Sequence, residues 1–258
     1  MPAINAIAPD KLSRLIGTPA CPALIDLRPG GDFVPGAVRR DPDRVADWGV
    51  ALAGAGSPAI LICRDGAEAS PAVAAWLRHE GVRAELLDGG VAGWTTAGLP
   101  LVREAVLPPR DAAGRTRWVT RTRPKVDRIA CPWLIRRFVD PDAVFLFVAP
   151  SDVAATGERL DAAPFDVDGV HWSHRGELCT FDAMLREFGL AGLPGLDRLA
   201  PIVRGADTAR PELAPQAPGL LAISLGLSRL HADDLEQLEA GMSVYDAFYR
   251  WCLSLIHI

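Results

Sequence analysis

Three short apolar segments, at 22–28, 58–64 and 83–90, alternate with segments of helical periodicity in the first part of the chain. Their apolar residues run on without the polar alternation of a half-exposed strand, which is typical of strands buried on both faces. The helical segments at 41–56 and 68–82 each end at or beside a glycine, the usual helix stop. We therefore predict an α/β domain with a parallel sheet and helices on both faces.

A different pattern begins after residue 116. Apart from one helix that starts near Asp127, strands are predicted first and mainly helices from Thr180 onward. The predicted strands are 117–121, 143–149, 164–169 and 170–174. This order indicates a second, α+β and mostly helical domain. The predicted domains are therefore 1–103 and 117–252, joined by a Pro- and Gly-punctuated linker at 104–116. The abrupt apolar residues 253–258 are expected to be a non-native tail.

The cysteines and the apolar runs predict a cytoplasmic protein. Five cysteines are scattered along the chain without a C-x-x-C pair, which suits free thiols in a reducing compartment. The start of the chain has no leader pattern, and the apolar runs are too short to cross a bilayer. We expect no membrane contact. The sequence leaves open whether the chain forms a homo-oligomer.

Charge is unevenly distributed along the chain. Residues 111–137 carry 8 basic and 2 acidic side chains, although the net charge of the whole chain is −5. Local positive charge attracts oxyanions, so Arg128, Arg136 and Arg137 form a candidate oxyanion site. A solvated helix face is the alternative. The overall negative charge disfavours DNA as a partner.

Cys63 ends a predicted strand and is followed by a short loop into a helix. Backbone N–H groups of such a loop, together with the helix N-terminus, stabilise a thiolate or persulfide anion. The sequence therefore predicts Cys63 as a reactive thiol and the loop as its anion-binding cradle, with a small-molecule sulfur donor or an oxyanion as the partner. A buried structural cysteine is the alternative. The loop residues are Arg64, Asp65, Gly66, Ala67 and Glu68.

Several motifs in this part of the chain occur together in one order. Asp26 and Arg28 form a D-x-R element, "CRDG" follows the second strand, and "GGVAGW" follows the third. Together these motifs resemble the rhodanese sulfurtransferase family over about residues 8–102. The resemblance implies a rhodanese-like fold in which Asp26 and Arg28 are structural. It also implies that Cys63 accepts a sulfane sulfur as a persulfide and passes it to a nucleophile.

The loop departs from the rhodanese pattern at Glu68, where an arginine is usual. A carboxylate there disfavours a dianionic donor such as thiosulfate. A protein or low-molecular-weight persulfide donor is at least as suitable. The loop also lacks the arginine with which a cysteine phosphatase binds phosphate. The alternative to an enzyme is a degenerate rhodanese domain that binds a ligand or partner in a non-enzymatic sensor or transcriptional regulator.

The second domain contains residue types that bind metals. His174, Glu177, Cys179 and Asp207 supply nitrogen, oxygen and sulfur atoms, so they are a candidate metal site, with ordinary hydrogen bonding as the alternative. No cofactor other than such a metal ion is predicted. Asp127 is expected to be the N-cap of the helix that follows it.

The same domain resembles the C-terminal domain of the ChrB family of chromate-resistance proteins. The resemblance is carried by "RPKVDRIACPWLIRRFVDPDAVFLFV", "SHRGELCTFD" and "VYDAFYRWC", over about residues 118–252. It implies a role in chromate resistance or sensing, and it makes the basic segment a surface for oxyanion recognition. ChrB regulators have a different N-terminal region, so a rhodanese-like domain in that place argues against DNA binding.

Overall fold

The computed structural model describes residues 5–67 and 69–254, and it divides into two compact units between Ala105 and Val106. The division falls inside the predicted linker. None of the helices in the described part of the chain combines the length and the apolar character that crossing a membrane requires.

The first unit is built on a five-stranded sheet in which every pair of neighbours is parallel. The strands lie in the order β1-β5-β4-β2-β3, which places β4 at the centre. They are β1 (Ala6–Ile7), β2 (Ala23–Asp26), β3 (Ala37–Arg39), β4 (Ala59–Ile62) and β5 (Ala84–Leu87). The helices are α1 (Pro9–Ser13), α2 (Val45–Ala55), α3 (Ser70–His79) and α4 (Gly90–Thr96), with 3₁₀ turns at Pro42–Arg44 and Glu104–Val106.

Both faces of this sheet are buried. Ile25 and Leu61 belong to a core cluster that also contains Val73 and Leu77 of α3. Ile60 and its alternate neighbours point to the opposite face, where they are also buried. The predicted parallel sheet, covered on both faces, is therefore confirmed.

The second unit is mostly helical around a small parallel sheet with the order β7-β6-β8. Its strands are β6 (Arg117–Arg121), β7 (Val144–Val148) and β8 (Ala163–Pro164). Its helices are α5 (Val126–Phe138), α6 (Val153–Leu160), α7 (Thr180–Glu187), α8 (Pro194–Asp207), α9 (Ala217–Leu230) and α10 (Asp234–Ser254), with 3₁₀ turns at Pro150–Asp152 and Pro211–Leu213. Of the predicted tail, Leu253 and Ser254 belong to α10, and 255–258 lie outside the described residues.

Helix α5 lies in the core of this unit and contacts α7, α8, α9 and α10. Its Trp133 is fully buried and lies against the rings of Phe138, Tyr245 and Tyr249. A Cβ added at Gly241 of α10 would lie 2.5 Å from the side chain of Ile129, so these two helices approach closely. This packing positions both ends of α5.

Two of the predicted strands in this unit are wrong. In place of 164–169 and 170–174 the chain has the two-residue β8 and an isolated bridge between Phe165 and Trp172. Asp166 (φ 51°) and Gly169 (φ 78°) adopt left-handed conformations, which turn the chain out of an extended path. The segment is a loop that carries polar side chains into the unit.

Candidate functional site

Cys63 lies immediately beyond the carboxyl end of β4, the central strand. The residue is 2% exposed. Its Sγ accepts a hydrogen bond from the backbone N–H of Gly66 at 3.0 Å. The loop therefore directs a backbone donor at the sulfur atom.

The start of the Cys63 loop is held by the first turn of α4. The carbonyl oxygens of Cys63 and Arg64 accept hydrogen bonds from the N–H groups of Val91 (3.0 Å) and Ala92 (2.9 Å). Gly90 has φ +56°, and a Cβ there would lie 2.5 Å from the Cys63 carbonyl oxygen. Only glycine therefore allows α4 to approach this closely.

The remaining loop residues face outward. Arg64, Asp65 and Ala67 are exposed, and the Asp65 carboxylate accepts a hydrogen bond from the N–H of Ala67 at 3.0 Å. Glu68 lies outside the described residues.

Asp26 and Arg28 interact directly at the carboxyl end of β2. The Arg28 guanidinium donates from Nε to Oδ1 (2.9 Å) and from Nη2 to Oδ2 (2.7 Å) of Asp26, which is almost fully buried. Such a two-point contact is strong and directional. It joins the end of β2 to the turn that follows it.

The three arginines of the predicted oxyanion site contact three different carboxylates. Arg128 lies at the start of α5, with its Nε 3.2 Å from Asp166. Arg136 and Arg137, near the other end, form ion pairs with Glu239 and Asp246 of α10. In the structure these arginines therefore join elements of the second unit.

A second polar cluster brings together Asp127 of α5, His174 of the loop before α7, and Asp207 at the end of α8. One ligand atom from each of the three residues lies within 4.8 Å of the other two. Nε2 of His174 is 3.1 Å from Oδ2 of Asp207 and 3.8 Å from Oδ2 of Asp127. Of the four predicted metal ligands, the cluster contains His174 and Asp207.

Asp127 is the buried member of this cluster, and its expected N-cap role is wrong. The N-cap of α5 is Lys125, and Asp127 lies in the first turn with its side chain 0% exposed. Its Oδ2 accepts a hydrogen bond from the N–H of Phe181 at 3.2 Å. Burial raises the pKa of the Asp127 carboxyl well above its usual range, and the charges of Asp207 and Asp166 raise it further.

Asp166 lies beside the cluster, and its carboxylate contacts residues outside it. Its Oδ1 accepts a hydrogen bond from the hydroxyl of Thr180 at 2.8 Å, and Arg128 pairs with its Oδ2. Oδ1 also lies 3.5 Å from Nε2 of His174. A hydrogen bond with Asp166 and the charge of Asp207 raise the pKa of His174 against the effect of its partial burial.

The two remaining predicted metal ligands are not members of this cluster, although Cys179 lies beside Asp127. Glu177 is 83% exposed and pairs with Arg210 at 3.3 Å. Cys179 is buried, and its Sγ donates to Oδ2 of Asp182 at 3.3 Å. Burial raises the pKa of the Cys179 thiol, which makes it a poor thiolate ligand.

Sequence reasoning missed Asp127 and Asp166 as members of this polar region. The only local signal for Asp127 was its place at a helix start, which equally describes a cap. Asp166 lies in the segment 164–169, which the sequence predicted as a strand.

The two structural units correspond to two known families. The sequence profile of the rhodanese-like domain matches residues 8–97, and that of the ChrB C-terminal domain matches residues 118–252. The chain belongs to the ChrB C-terminal domain family. In this ChrB-like chain, the rhodanese-like domain carries Cys63 and the ChrB C-terminal domain carries the cluster of Asp127, His174 and Asp207.

Two known proteins show how far these similarities extend. Protein ChrB of Cupriavidus metallidurans is 40% identical over 147 residues, which is 55% of this chain and 43% of that relative. The ChrB-like chain therefore matches less than half the length of this relative. The crystal structure of a rhodanese-related protein from Thermoplasma volcanium covers 38% of this chain and 98% of its own, with 19% identity and a TM-score of 0.33.

Proposed function

We propose that this ChrB-like chain is a sulfur-carrying protein of chromate resistance, in which Cys63 holds a persulfide. The observation that carries the proposal is the hydrogen bond from the N–H of Gly66 to the Sγ of Cys63, at the carboxyl end of the central strand. Ligand sites of parallel sheets lie at this edge. The link to chromate resistance rests on the ChrB resemblance of the second domain.

The reaction has two balanced steps. In the first, the Cys63 thiolate attacks the outer sulfur of a persulfide donor, the donor's S–S bond breaks, and the donor leaves as a thiolate while Cys63 becomes a persulfide. In the second, an acceptor nucleophile attacks the outer sulfur of that persulfide and the Cys63 thiolate is released. The Gly66 N–H stabilises the anionic sulfur before and after transfer.

The burial of Cys63 and the sequence of its loop favour a particular donor class. Because the residue is only 2% exposed, the approach to Sγ is narrow. Because Glu68 adds a negative charge to the loop sequence, a dianionic donor is repelled. A small persulfide is therefore the preferred donor, and thiosulfate is a poor one.

Mass spectrometry after donor exposure tests the proposal. The purified chain is treated with cysteine persulfide or thiosulfate, and its mass is measured before and after cyanide treatment. We expect one added sulfur atom at Cys63 with the persulfide, released by cyanide as thiocyanate. Cys63→Ser should not gain the added sulfur atom. Cys21→Ser, which removes the other cysteine of the same unit, should still gain it. The absence of transferable sulfur from both donors would contradict the proposal.

A non-enzymatic sensor or regulator is the second candidate, favoured by the burial of Cys63. In this form the rhodanese-like domain binds a ligand or partner without turnover. Chromate binding measured by calorimetry, with no transferable sulfur, would support the sensor. A transcriptional form additionally requires DNA binding that weakens as salt rises, and its absence at low salt would exclude that form.

A further inference from the structure

We propose that Asp127, His174 and Asp207 bind one divalent metal ion in the second unit. The three residues come from α5, the loop before α7, and the end of α8, so packing of these elements assembles the site. The site is independent of Cys63 and goes beyond the proposed sulfur chemistry.

The first observation is the convergence of suitable atoms. A carboxylate oxygen of Asp127, one of Asp207 and a ring nitrogen of His174 lie within 4.8 Å of one another. Ligands bound to one ion at about 2.0–2.2 Å from it are roughly 3–4 Å apart. Small side-chain adjustments therefore suffice to bring all three atoms onto one ion.

The second observation is an unsatisfied oxygen. The side chain of Asp127 is 0% exposed, and its Oδ1 has no hydrogen-bond partner among the described residues. Its other oxygen, Oδ2, accepts a hydrogen bond from Phe181 and faces Nε2 of His174 at 3.8 Å. A buried carboxylate with an unpaired oxygen is costly unless a cation or a proton compensates it. A metal ion supplies that compensation.

The third observation is the local charge. Arg128 and Arg121 both approach Asp166, at 3.2 Å and 4.0 Å. Within 5–67 and 69–254, no lysine or arginine forms an ion pair with Asp127 or Asp207. Among the described residues, His174 is therefore the basic side chain that approaches both carboxylates. A divalent ion displaces the protons held by the cluster and binds both carboxylates together with the neutral imidazole of His174.

The ligand set indicates the kind of metal. Two carboxylates and one imidazole suit divalent first-row ions such as Mn²⁺, Fe²⁺ and Zn²⁺ better than a thiol-seeking ion. Three protein ligands leave at least one position for water or a bound substrate, as in catalytic rather than structural zinc sites. His174, with its side chain 42% exposed, places this open position toward solvent.

Metal titration of the full chain tests the site. The Cys63→Ser chain, which removes the thiol of the other unit, is stripped with a chelator and titrated with Mn²⁺ and Zn²⁺ by calorimetry. We expect one ion per chain. His174→Gln and Asp127→Asn should each weaken binding by at least ~100-fold, because even residues that merely support ligands contribute roughly 10- to 100-fold. An electron paramagnetic resonance spectrum of bound Mn²⁺ should show nitrogen coupling that His174→Gln removes.

Two matched controls separate this site from its surroundings. His171→Gln removes the exposed histidine three residues earlier, and Glu177→Gln removes the nearby exposed carboxylate that pairs with Arg210. Both should bind the metal as the parent chain does. Failure of both ions to bind at one per chain would overturn the proposal, as would equal affinity in His174→Gln. Because His174 is half-exposed, His174→Gln should fold normally. Its metal affinity therefore tests the site even if Asp127→Asn does not fold.

Discussion

Arg137 in α5 and Asp246 in α10 are joined by two parallel hydrogen bonds, Nε–Oδ1 at 2.9 Å and Nη2–Oδ2 at 2.7 Å. The indole N–H of the fully buried Trp133 donates to the same Oδ1 at 2.9 Å. The partly buried carboxylate of Asp246 thus accepts hydrogen bonds from three donor groups of α5, although α10 lies far from α5 in sequence. The paired arginines at the end of α5 are therefore positioned to hold helices together.

We predict that Asp246→Ala lowers the free energy of unfolding of the second unit by about 1–3 kcal/mol, because it leaves the Trp133 N–H buried without an acceptor. Glu239, whose side chain is 64% exposed, is the partner of Arg136, and Glu239→Ala should cost about 1 kcal/mol or less. Urea unfolding of both variants measures the difference. Equal losses would show that the buried contact has no special weight.

We predict that Gly90→Ala destabilises the first unit and impairs persulfide formation, because its Cβ would overlap the Cys63 carbonyl at 2.5 Å. Gly98→Ala is the matched control. It too has positive φ (+71°), but a Cβ there meets no atom of the described chain within 4 Å. Gly98→Ala should cost only the backbone strain of about 1–2 kcal/mol and leave sulfur loading intact. Thermal unfolding and the persulfide assay measure the two effects, and normal loading in Gly90→Ala would refute the steric argument.

We predict that Arg28→Lys destabilises the first unit by about 1–3 kcal/mol, because an ammonium group cannot reproduce the two-point contact with buried Asp26. Arg14→Lys changes an exposed arginine that pairs with Asp10 at 3.6 Å and should stay within about 0.5 kcal/mol of the parent. Denaturant unfolding provides the comparison. A loss in Arg28→Lys no larger than in Arg14→Lys would argue against a structural role.

We predict a stability decrease in alkaline solution that depends on Cys252. Burial raises the pKa of this thiol from 9.0 to about 11, with the charge of Arg198 opposing the shift. Between these values the unfolded chain has lost a proton that the folded chain retains, so the free energy of unfolding falls as pH rises. Unfolding measured at pH values across this window should show a smaller decrease in Cys252→Ala. The buried thiols of Cys131 and Cys179 are present in both proteins and contribute equally to the pH dependence. If the free energy of unfolding falls equally steeply with pH in both proteins, Cys252 is not the cause.

The Cys63 loop could be anticipated because its determinants are close together in sequence. Cys63 and Gly66 are three residues apart. The two supporting motifs, D-x-R and "GGVAGW", stand at the ends of β2 and β5, which are the parallel strands on either side of β4. Strands of such a sheet bring their carboxyl ends to one edge, so the local pattern also determines proximity. The Asp26–Arg28 contact could be anticipated for the same reason.

The cluster in the second unit could not be anticipated in the same way. Asp127, His174 and Asp207 come from three elements, and no fixed spacing relates them. Glu177 and Cys179 lie closer to His174 in sequence, yet the turn before α7 directs Glu177 to solvent and Cys179 toward Asp182. The partners of Arg136 and Arg137 lie more than 100 residues away for the same reason.

The sequence by itself determined the two domains' classes, the parallel sheet and the place of Cys63, because apolar periodicity and short glycine motifs act over a few residues. Only the tertiary structure decided which polar side chains of the second unit meet. Helix packing brought Asp127 to His174 and Asp207, and it paired Arg137 with Asp246. Local sequence patterns do not encode these contacts, since they depend on how whole helices pack around α5.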